Sequence, residues 1–325
     1  MRVFVTGGNG FIGSVVVRKL IERGIWVRCL LRPTSDTKRI NGLYFDRALG
    51  DVRDAASVLA GMKGCDGVIH LASLSNWNDI ESPLMHDVVV KGSQHVLEAA
   101  KANGNLKMVF VSSVAAINGT KEPIILDENS PCTLDPNRYA YSKAKVAAET
   151  LCKQAFSTGQ PVVIVNPAEV YGPHDTSLNT AGNLLDFAKS SPVLVCRGGT
   201  SVVYVDDVAE GIIAALQKGR SGERYILGGE NLSVTELAKL TLDILGQKDK
   251  KIIEIPNWLL SFAARVADRF HIPFPINPKV VPYATLFWFM DNRKAVDELG
   301  LSFRTARETL EPTLKWLKDK GYLKA

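Results

Sequence analysis

The stretch Thr6-Gly7-Gly8-Asn9-Gly10-Phe11-Ile12-Gly13 decides the fold of this 325-residue chain. It follows a short apolar run at Val3–Val5 and leads into apolar residues at helical spacing, which predicts a strand, a glycine turn and a helix. The first glycine permits a tight turn, the second lets backbone approach a pyrophosphate, and the third lets helix and strand pack closely. Phosphates would lie at the amide-rich start of the helix. The predicted binding residues here are Gly7, Gly10, Phe11, Ile12 and Gly13.

Strand-like and helix-like segments alternate after this turn. Further apolar runs lie at Gly67–Leu71, Lys107–Val111 and Val162–Val165, and stretches of helical length, Lys91–Asn103 and Tyr139–Ser157, separate them. This order predicts an α/β fold with a doubly wound, parallel, Rossmann-type sheet. The rhythm changes after Pro167, so we expect a smaller C-terminal α/β domain for the substrate. The predicted boundaries are 1–166 for the Rossmann domain, with a return around 201–218, and 167–200 with 219–325 for the substrate domain.

Composition excludes several classes of protein. The net charge is only +5 and the basic residues are scattered, so we do not expect a nucleic-acid partner. The five cysteines are far apart and lack metal-ligand spacing, which predicts reduced thiols in a cytoplasmic protein without a metal site. No uninterrupted apolar run reaches the length of a membrane span.

One C-terminal segment, Ile255–Met290, is rich in Trp, Phe and Pro. Leu259, Phe262, Ala263 and Val266 fall on one face of a predicted helix. A packed lid over the substrate is our first interpretation of this segment, and attachment to a membrane surface is the second.

The T-G-x-x-G-x-x-G spacing at 6–13 and a later tyrosine–lysine pair resemble the extended short-chain dehydrogenases/reductases, also called the NAD-dependent epimerase/dehydratase family. Within that family the chain is most similar to dihydroflavonol 4-reductase-like enzymes. The resemblance covers essentially the whole chain. It implies a nicotinamide cofactor and a small-molecule carbonyl or alcohol substrate, and it allows a homodimer.

The cofactor preference depends on the end of the second strand. NAD-binding members carry an acidic residue there, but this chain has Leu31 followed by Arg32, and an arginine can grip a 2′-phosphate. We therefore favour NADP(H), with NAD(H) still possible and Arg28 as a competing or assisting cation. By resemblance, the other cofactor-binding residues are Asp51, Val52, Leu71, Ala72, Asn166, Pro167 and Ala168, together with Lys143.

Tyr139 and Lys143 are spaced to share a helix face. An ammonium beside a phenol lowers the phenol pKa from about 10 toward the working range, which suits a proton donor. The resemblance implies that Tyr139 is the acid/base, that Lys143 tunes it, and that Ser113 polarises the substrate carbonyl, with Ser112 as an open alternative. The sugar epimerases carry this hydroxyl one residue later, where this chain has Val114.

Substrate contacts are expected from the loop Ser73–Trp77 and from regions around the later motifs. The residues that we predict to contact substrate are Ser73, Trp77, Asn118, Tyr171 and Arg197. The leading hypothesis is an NADPH-dependent reductase of a ketone or aldehyde. An epimerase or dehydratase of a nucleotide-linked sugar that uses bound NAD, and a protein that senses NADP(H) without turnover, remain as alternatives.

Overall fold

The glycine turn joins the first strand and helix of a regular β-α-β unit. The computed structural model describes residues 1–74, 77, 79–270, 272 and 277–323. Strand β1 (Arg2–Thr6) leads through the turn into helix α1 (Phe11–Glu22), and β2 (Trp26–Leu31) returns parallel to β1. Alternate residues of β1 enter different cores: Val3 and Val5 face one side of the sheet, and Phe4 faces the other.

The remaining elements follow in chain order. The strands are β3 (Asp46–Leu49), β4 (Gly67–His70), β5 (Lys107–Val111), β6 (Val162–Pro167), β7 (Glu169–Tyr171), β8 (Val193–Cys196), β9 (Gly199–Tyr204), β10 (Arg224–Leu227), β11 (Glu230–Ser233), β12 (Ile252–Ile255) and β13 (Phe287–Trp288). The helices are α2 (Ala55–Met62), α3 (Pro83–Met85), α4 (Gly92–Ala102), α5 (Ala140–Ser157), α6 (Ala181–Lys189), α7 (Val205–Gln217), α8 (Val234–Ile244), α9 (Asn257–Phe270), α10 (Val281–Ala284), α11 (Arg293–Leu299) and α12 (Ala306–Asp319).

A seven-stranded sheet in the order β10-β6-β5-β4-β1-β2-β3 forms the centre of the molecule, and all its neighbouring strands run parallel. Helices α2, α4 and α5 cover one face, and α1, α7 and α11 cover the other. The strand order reverses between β4 and β1, which is where such sheets bind ligands at their carboxyl ends. The predicted Rossmann-type fold is therefore confirmed.

A second core lies beside the sheet. Strands β7, β11 and β13 all pair with β9, and β12 pairs with β8. Helices α6, α8 and α12 pack around them, with Leu184, Leu237 and Leu310 among the buried side chains. Helix α12 begins with a capping box, in which the Thr305 hydroxyl and the Glu308 carboxylate bind each other's backbone amides.

The domain boundaries drawn from the sequence differ from the sheets in two respects. Strand β10 lies within the range assigned to the substrate domain, yet it pairs with β6 at the edge of the large sheet. Conversely, β9 lies in the predicted return segment but belongs to the small sheet. The return to the Rossmann core thus spans α7 and β10, because the edge of β6 needs a partner for its backbone groups.

The turn itself depends on backbone contact. Gly7 has a φ of +71°, and the Gly10 amide donates to the Gly7 carbonyl at 3.0 Å. A Cβ placed on Gly13 would lie 2.1 Å from that same carbonyl oxygen, whereas a Cβ on Gly10 would lie 3.2 Å from it. Helix α1 can approach β1 this closely only because position 13 has no side chain.

We expect Gly13→Ala to lower the free energy of unfolding of the cofactor-free protein by about 1–3 kcal/mol, because backbone must move to admit the methyl group. Gly10→Ala is the matched control, and it should cost less than about 1 kcal/mol because its φ of −73° suits alanine. Urea denaturation followed by circular dichroism measures both values. Equal losses in the two variants would contradict the packing role of Gly13.

Candidate active site

The start of α1 offers a binding place for phosphates. Gly10 precedes the helix without a side-chain cap, so the amides of Phe11, Ile12 and Gly13 lack side-chain acceptors. The bare backbone of the turn leaves room for a pyrophosphate at the positive end of the helix dipole. These residues therefore fit the diphosphate of a dinucleotide cofactor.

The segment after β4 lies against this turn. A Cβ on Gly7 would meet the Ala72 amide nitrogen at 2.7 Å, and that amide donates to the Thr6 hydroxyl. His70 is fully buried between the Thr6 and Ser93 hydroxyls, and burial lowers its pKa to about 3. His70 is thus a neutral core residue, while Leu71 and Ala72 lie beside Gly7 of the turn.

Arg32 follows β2 and is exposed at the same edge of the sheet. Its positive charge helps to lower the pKa of Asp51, although the main cause of that shift is the hydrogen bond from Arg53. Val52 is buried beneath Asp51, and its carbonyl contacts His95. The competing cation, Arg28, is bound to the carbonyls of Gly61 and Lys63 instead.

Ser113 and Tyr141 meet beyond the end of β5. Burial raises the pKa of the Tyr141 phenol, and a hydrogen bond with the Ser113 side chain partly opposes this shift. The Ser113 hydroxyl also accepts from the Ala115 amide at 3.2 Å. Ser112, the alternative from the sequence, has a buried hydroxyl without a partner among the described residues. The geometry therefore favours Ser113.

Lys145 lies one helical turn after Tyr141 on α5. Its side chain is 2% exposed, and its ammonium is 5.9 Å from the centre of the Tyr141 ring. The ammonium donates to the Val111 carbonyl at 3.1 Å. Burial lowers the pKa of Lys145 to about 8, and the nearby Glu149 carboxylate opposes this shift. A hydroxyl, a phenol and a lysine thus converge at the carboxyl ends of the central strands.

Glu149 anchors this group from the next turn of α5. Its buried carboxylate accepts from the Asn166 amide at 2.7 Å and from Arg224 at 3.3 Å. The same Asn166 amide also donates to the Ser113 carbonyl at 2.8 Å. The neighbouring Pro167 is buried, and the Ala168 amide is bound to the Leu227 carbonyl. Asn166 therefore connects α5 to Ser113. The sequence did not predict this connection.

Tyr139 and Lys143 occupy different places. Tyr139 precedes α5, and its hydroxyl faces the Pro282 carbonyl at 3.5 Å. Lys143 is exposed and forms no ion pair within the described ranges. The structure therefore does not bring this pair to Ser113. Successive turns of α5 place Tyr141, Lys145 and Glu149 on one stripe, whereas Lys143 points to solvent.

The sequence pattern favoured Tyr139 over its neighbour Tyr141 and did not single out Lys145, because two Y-x-x-x-K pairs overlap within seven residues. One signal could have separated them. Ala144, Ala148 and Cys152 are apolar at helical spacing and mark the buried side of α5. Lys145 borders that side, but Lys143 lies away from it.

An aromatic wall borders the site. Tyr283 contacts the Trp77 and Tyr139 rings at centroid distances of 5.1 Å and stacks on Trp288 at 6.0 Å. Its hydroxyl accepts from the Tyr141 amide at 3.2 Å. Trp77 thus belongs to the wall, and its contact with substrate stays a prediction. Ser73 lies at the strand edge, and Ser75 and Asn76 of the predicted loop lie outside the described residues.

Three other substrate predictions are not matched by the geometry. Asn118 is buried and bound to Thr133 through its side-chain amide. Tyr171 is fully buried in the second core and bound to Asn183, so no substrate can reach it. Arg197 is exposed and paired with Glu122 at 2.5 Å. Their positions near other motifs in the sequence predicted contact with substrate. Packing instead turns the Asn118 and Tyr171 side chains into the protein interior.

Several structural properties constrain the chemistry. In the described part of the chain, no three His, Cys, Asp or Glu side chains are grouped so that they could hold a metal ion. The five cysteines are free thiols. Among the helices that the structure describes, none is both long and apolar enough to cross a membrane.

Comparisons with known proteins show which family the chain belongs to. The sequence profile of the NAD dependent epimerase/dehydratase family matches residues 3–228. A Synechocystis sp. protein provisionally named dihydroflavonol 4-reductase is 33% identical over 99% of this chain and 96% of its own length. Cinnamoyl-CoA reductase 1 of Oryza sativa subsp. japonica is 29% identical over 99% and 91%. The crystal structure of gox2253 superposes with a TM-score of 0.83 at 30% identity and covers 99% of each chain.

Family and relatives together make this protein an NAD(P)-dependent oxidoreductase of carbonyl or alcohol groups. The chain belongs to the NAD dependent epimerase/dehydratase family of extended short-chain dehydrogenases/reductases.

Proposed function

We propose that this protein reduces a ketone or aldehyde with NADPH, and that Ser113, Tyr141 and Lys145 perform the proton chemistry. The observation that supports this proposal is the convergence of the three side chains at the carboxyl end of β5. In this proposal they replace the pair Tyr139 and Lys143.

The chemistry follows from the position of each group. A nicotinamide cofactor held by the glycine turn supplies the hydride when bound. The Ser113 hydroxyl donates a hydrogen bond to the substrate carbonyl and stabilises negative charge on its oxygen. The Tyr141 phenol delivers its proton to that oxygen as the alcohol forms. The Lys145 ammonium stabilises the phenolate that remains, so the proton leaves Tyr141 more readily.

The aromatic wall favours a flat apolar substrate. Trp77, Tyr139 and Tyr283 present ring faces and edges beside the proposed proton donor. The names of two relatives, a dihydroflavonol reductase and a cinnamoyl-CoA reductase, denote aromatic carbonyl compounds. We therefore propose a carbonyl group attached to an aromatic or similarly flat apolar body.

Two alternatives receive less support. A sugar epimerase would carry its catalytic hydroxyl at position 114, but Val114 is apolar and buried. A cofactor sensor without turnover would not need the buried Lys145 beside Tyr141. NADPH in preference to NADH is supported by Arg32, which is exposed where an acidic residue would otherwise contact the ribose.

We expect Tyr141→Phe to lower kcat by a factor of about 10²–10⁴, because it removes the proton donor and keeps the ring. Tyr139→Phe is the matched control and should stay within about threefold of the wild type in kcat. NADPH consumption with an aromatic aldehyde measures both. The opposite order of effects would restore Tyr139 and Lys143 as the pair. Full activity in both variants would contradict a tyrosine proton donor at either position.

The pH profile tests Lys145. Its ammonium is charged below its pKa of about 8, so kcat/KM should fall as pH rises through that value. Because the Glu149 carboxylate raises this pKa, Glu149→Gln should move the falling limb to lower pH. Glu98→Gln, at an exposed position on α4, is the control and should leave the profile unchanged. An unshifted limb in a folded Glu149→Gln protein would argue against Lys145 as the titrating group.

Arg32→Gln should raise the KM for NADPH by about tenfold or more and leave the KM for NADH nearly unchanged, because only NADPH carries the 2′-phosphate. Arg28→Gln, within β2, is the control, and it should not alter the ratio of the two KM values. Steady-state kinetics with both cofactors decides the question. A changed ratio in Arg28→Gln alone would transfer the phosphate contact to that residue.

A further inference from the structure

Helix α9 presents apolar side chains to solvent. Trp258, Leu259, Phe262 and Phe270 are 71%, 43%, 56% and 69% exposed. We refer to these four residues as the outer face of α9. Most large apolar side chains in this chain are buried, so a group of this kind on one helix marks an interaction surface.

The helix is held firmly by its opposite side. Leu260, Ala264 and Ala267 are buried. Leu260 and Ala264 pack with Cys196 and Val281 in a small core. The outer face is therefore presented by an ordered helix that is anchored to the rest of the molecule.

The charged residues of α9 lie next to its exposed apolar residues. At 100° per residue, the outer face occupies a sector of about 120°. Arg265 lies about 20° outside the Trp258 edge of this sector and Arg269 lies about 20° inside it, and both are exposed. Neither arginine forms an ion pair with a residue in the described ranges. The acidic residue of the helix, Asp268, lies farther round, beyond Arg265.

We propose that the outer face of α9 binds the surface of an anionic lipid bilayer, with the helix lying in the plane of the headgroups. Trp, Phe and Leu side chains enter the boundary between headgroups and acyl chains. The arginines at the border of the apolar sector remain at headgroup depth, where lipid phosphates or carboxylates pair with them.

Charge favours lipid over a second copy of the chain. A two-fold contact would place the same patch against itself. Arg265 and Arg269 of both copies would then approach one another, with Asp268 as the single acidic residue of the helix, and their desolvation would oppose the contact. A bilayer surface supplies both the apolar layer and the negative charge that this helix requires.

The helix is also continuous with the candidate active site. Val281 packs under α9, the Pro282 carbonyl faces Tyr139, and the Tyr283 ring forms the centre of the aromatic wall. A membrane-bound α9 would therefore hold that wall near the lipid surface. An apolar substrate dissolved in the bilayer would then have a short path to Tyr141, a consequence that rests on the proposed reductase function.

Vesicle sedimentation with the full-length protein tests the surface. We expect binding to vesicles of phosphatidylcholine with phosphatidylglycerol and weaker binding to phosphatidylcholine alone. Trp258→Ser combined with Phe262→Ser should lower the partition coefficient by about tenfold or more, because membrane affinity scales with buried apolar area. Arg265→Gln combined with Arg269→Gln should lower it on anionic vesicles by about fivefold per arginine.

The control variants remove side chains of the same kinds at other places on the surface. Tyr44→Ser removes an aromatic side chain that is 79% exposed, and Lys315→Gln with Lys318→Gln removes two exposed cations from α12. Both should bind vesicles like the wild type. Circular dichroism confirms that each variant is folded.

Three outcomes would overturn the proposal. The first is that the wild type does not bind anionic vesicles. The second is that the double variant at Trp258 and Phe262 binds them as well as the wild type does. The third is that the wild type is a dimer in analytical ultracentrifugation and the same double variant is a monomer. The assay needs no turnover, so it remains decisive if the reductase proposal fails. If the wild type reduces carbonyl compounds, the double variant at Trp258 and Phe262 should lose activity on a ketone carried in vesicles and keep activity on a water-soluble aldehyde.

Discussion

The buried carboxylate of Glu149 connects the parts of the molecule on which the proposed chemistry depends. A carboxylate removed from water is destabilised by several kcal/mol unless cations and hydrogen-bond donors surround it. Here Arg224 reaches it from β10, Asn166 from β6, and Lys145 lies one turn away on the same helix. These partners fix the rotation of α5 relative to the sheet. The positions of Tyr141 and Lys145 follow from that rotation.

The same interaction divides two roles between neighbouring strands. Arg224 on β10 supplies the positive charge that pairs with the Glu149 carboxylate. Asn166 on β6 is neutral, and its side-chain amide donates both to that carboxylate and to the Ser113 carbonyl. The carboxylate is therefore paired by a cation and connected to the serine by a neutral side chain.

Local signals in the sequence were sufficient for the fold. The glycine turn between Val5 and Ile12 predicts a strand, a phosphate site and a helix because all three depend on neighbouring residues. The choice between Tyr139 and Tyr141 could not be made from spacing, since each has a lysine four residues later. It depends on which stripe of α5 meets β5 and β6, and that is a tertiary contact. The burial of Tyr171 in the second core is likewise set by packing that a linear pattern does not contain.

The position of β10 determines when the edge of the large sheet is closed during synthesis. Strand β6 is buried along its length, and its outer edge is paired only by residues 224–227. About sixty residues of α6, β8, β9 and α7 separate β6 from that partner in the chain. During synthesis the nascent sheet therefore exposes an apolar, hydrogen-bonding edge until two-thirds of the protein has left the ribosome. A gene fragment ending at residue 166 encodes a strand edge open to aggregation, and the smallest piece that closes the sheet extends through Leu227.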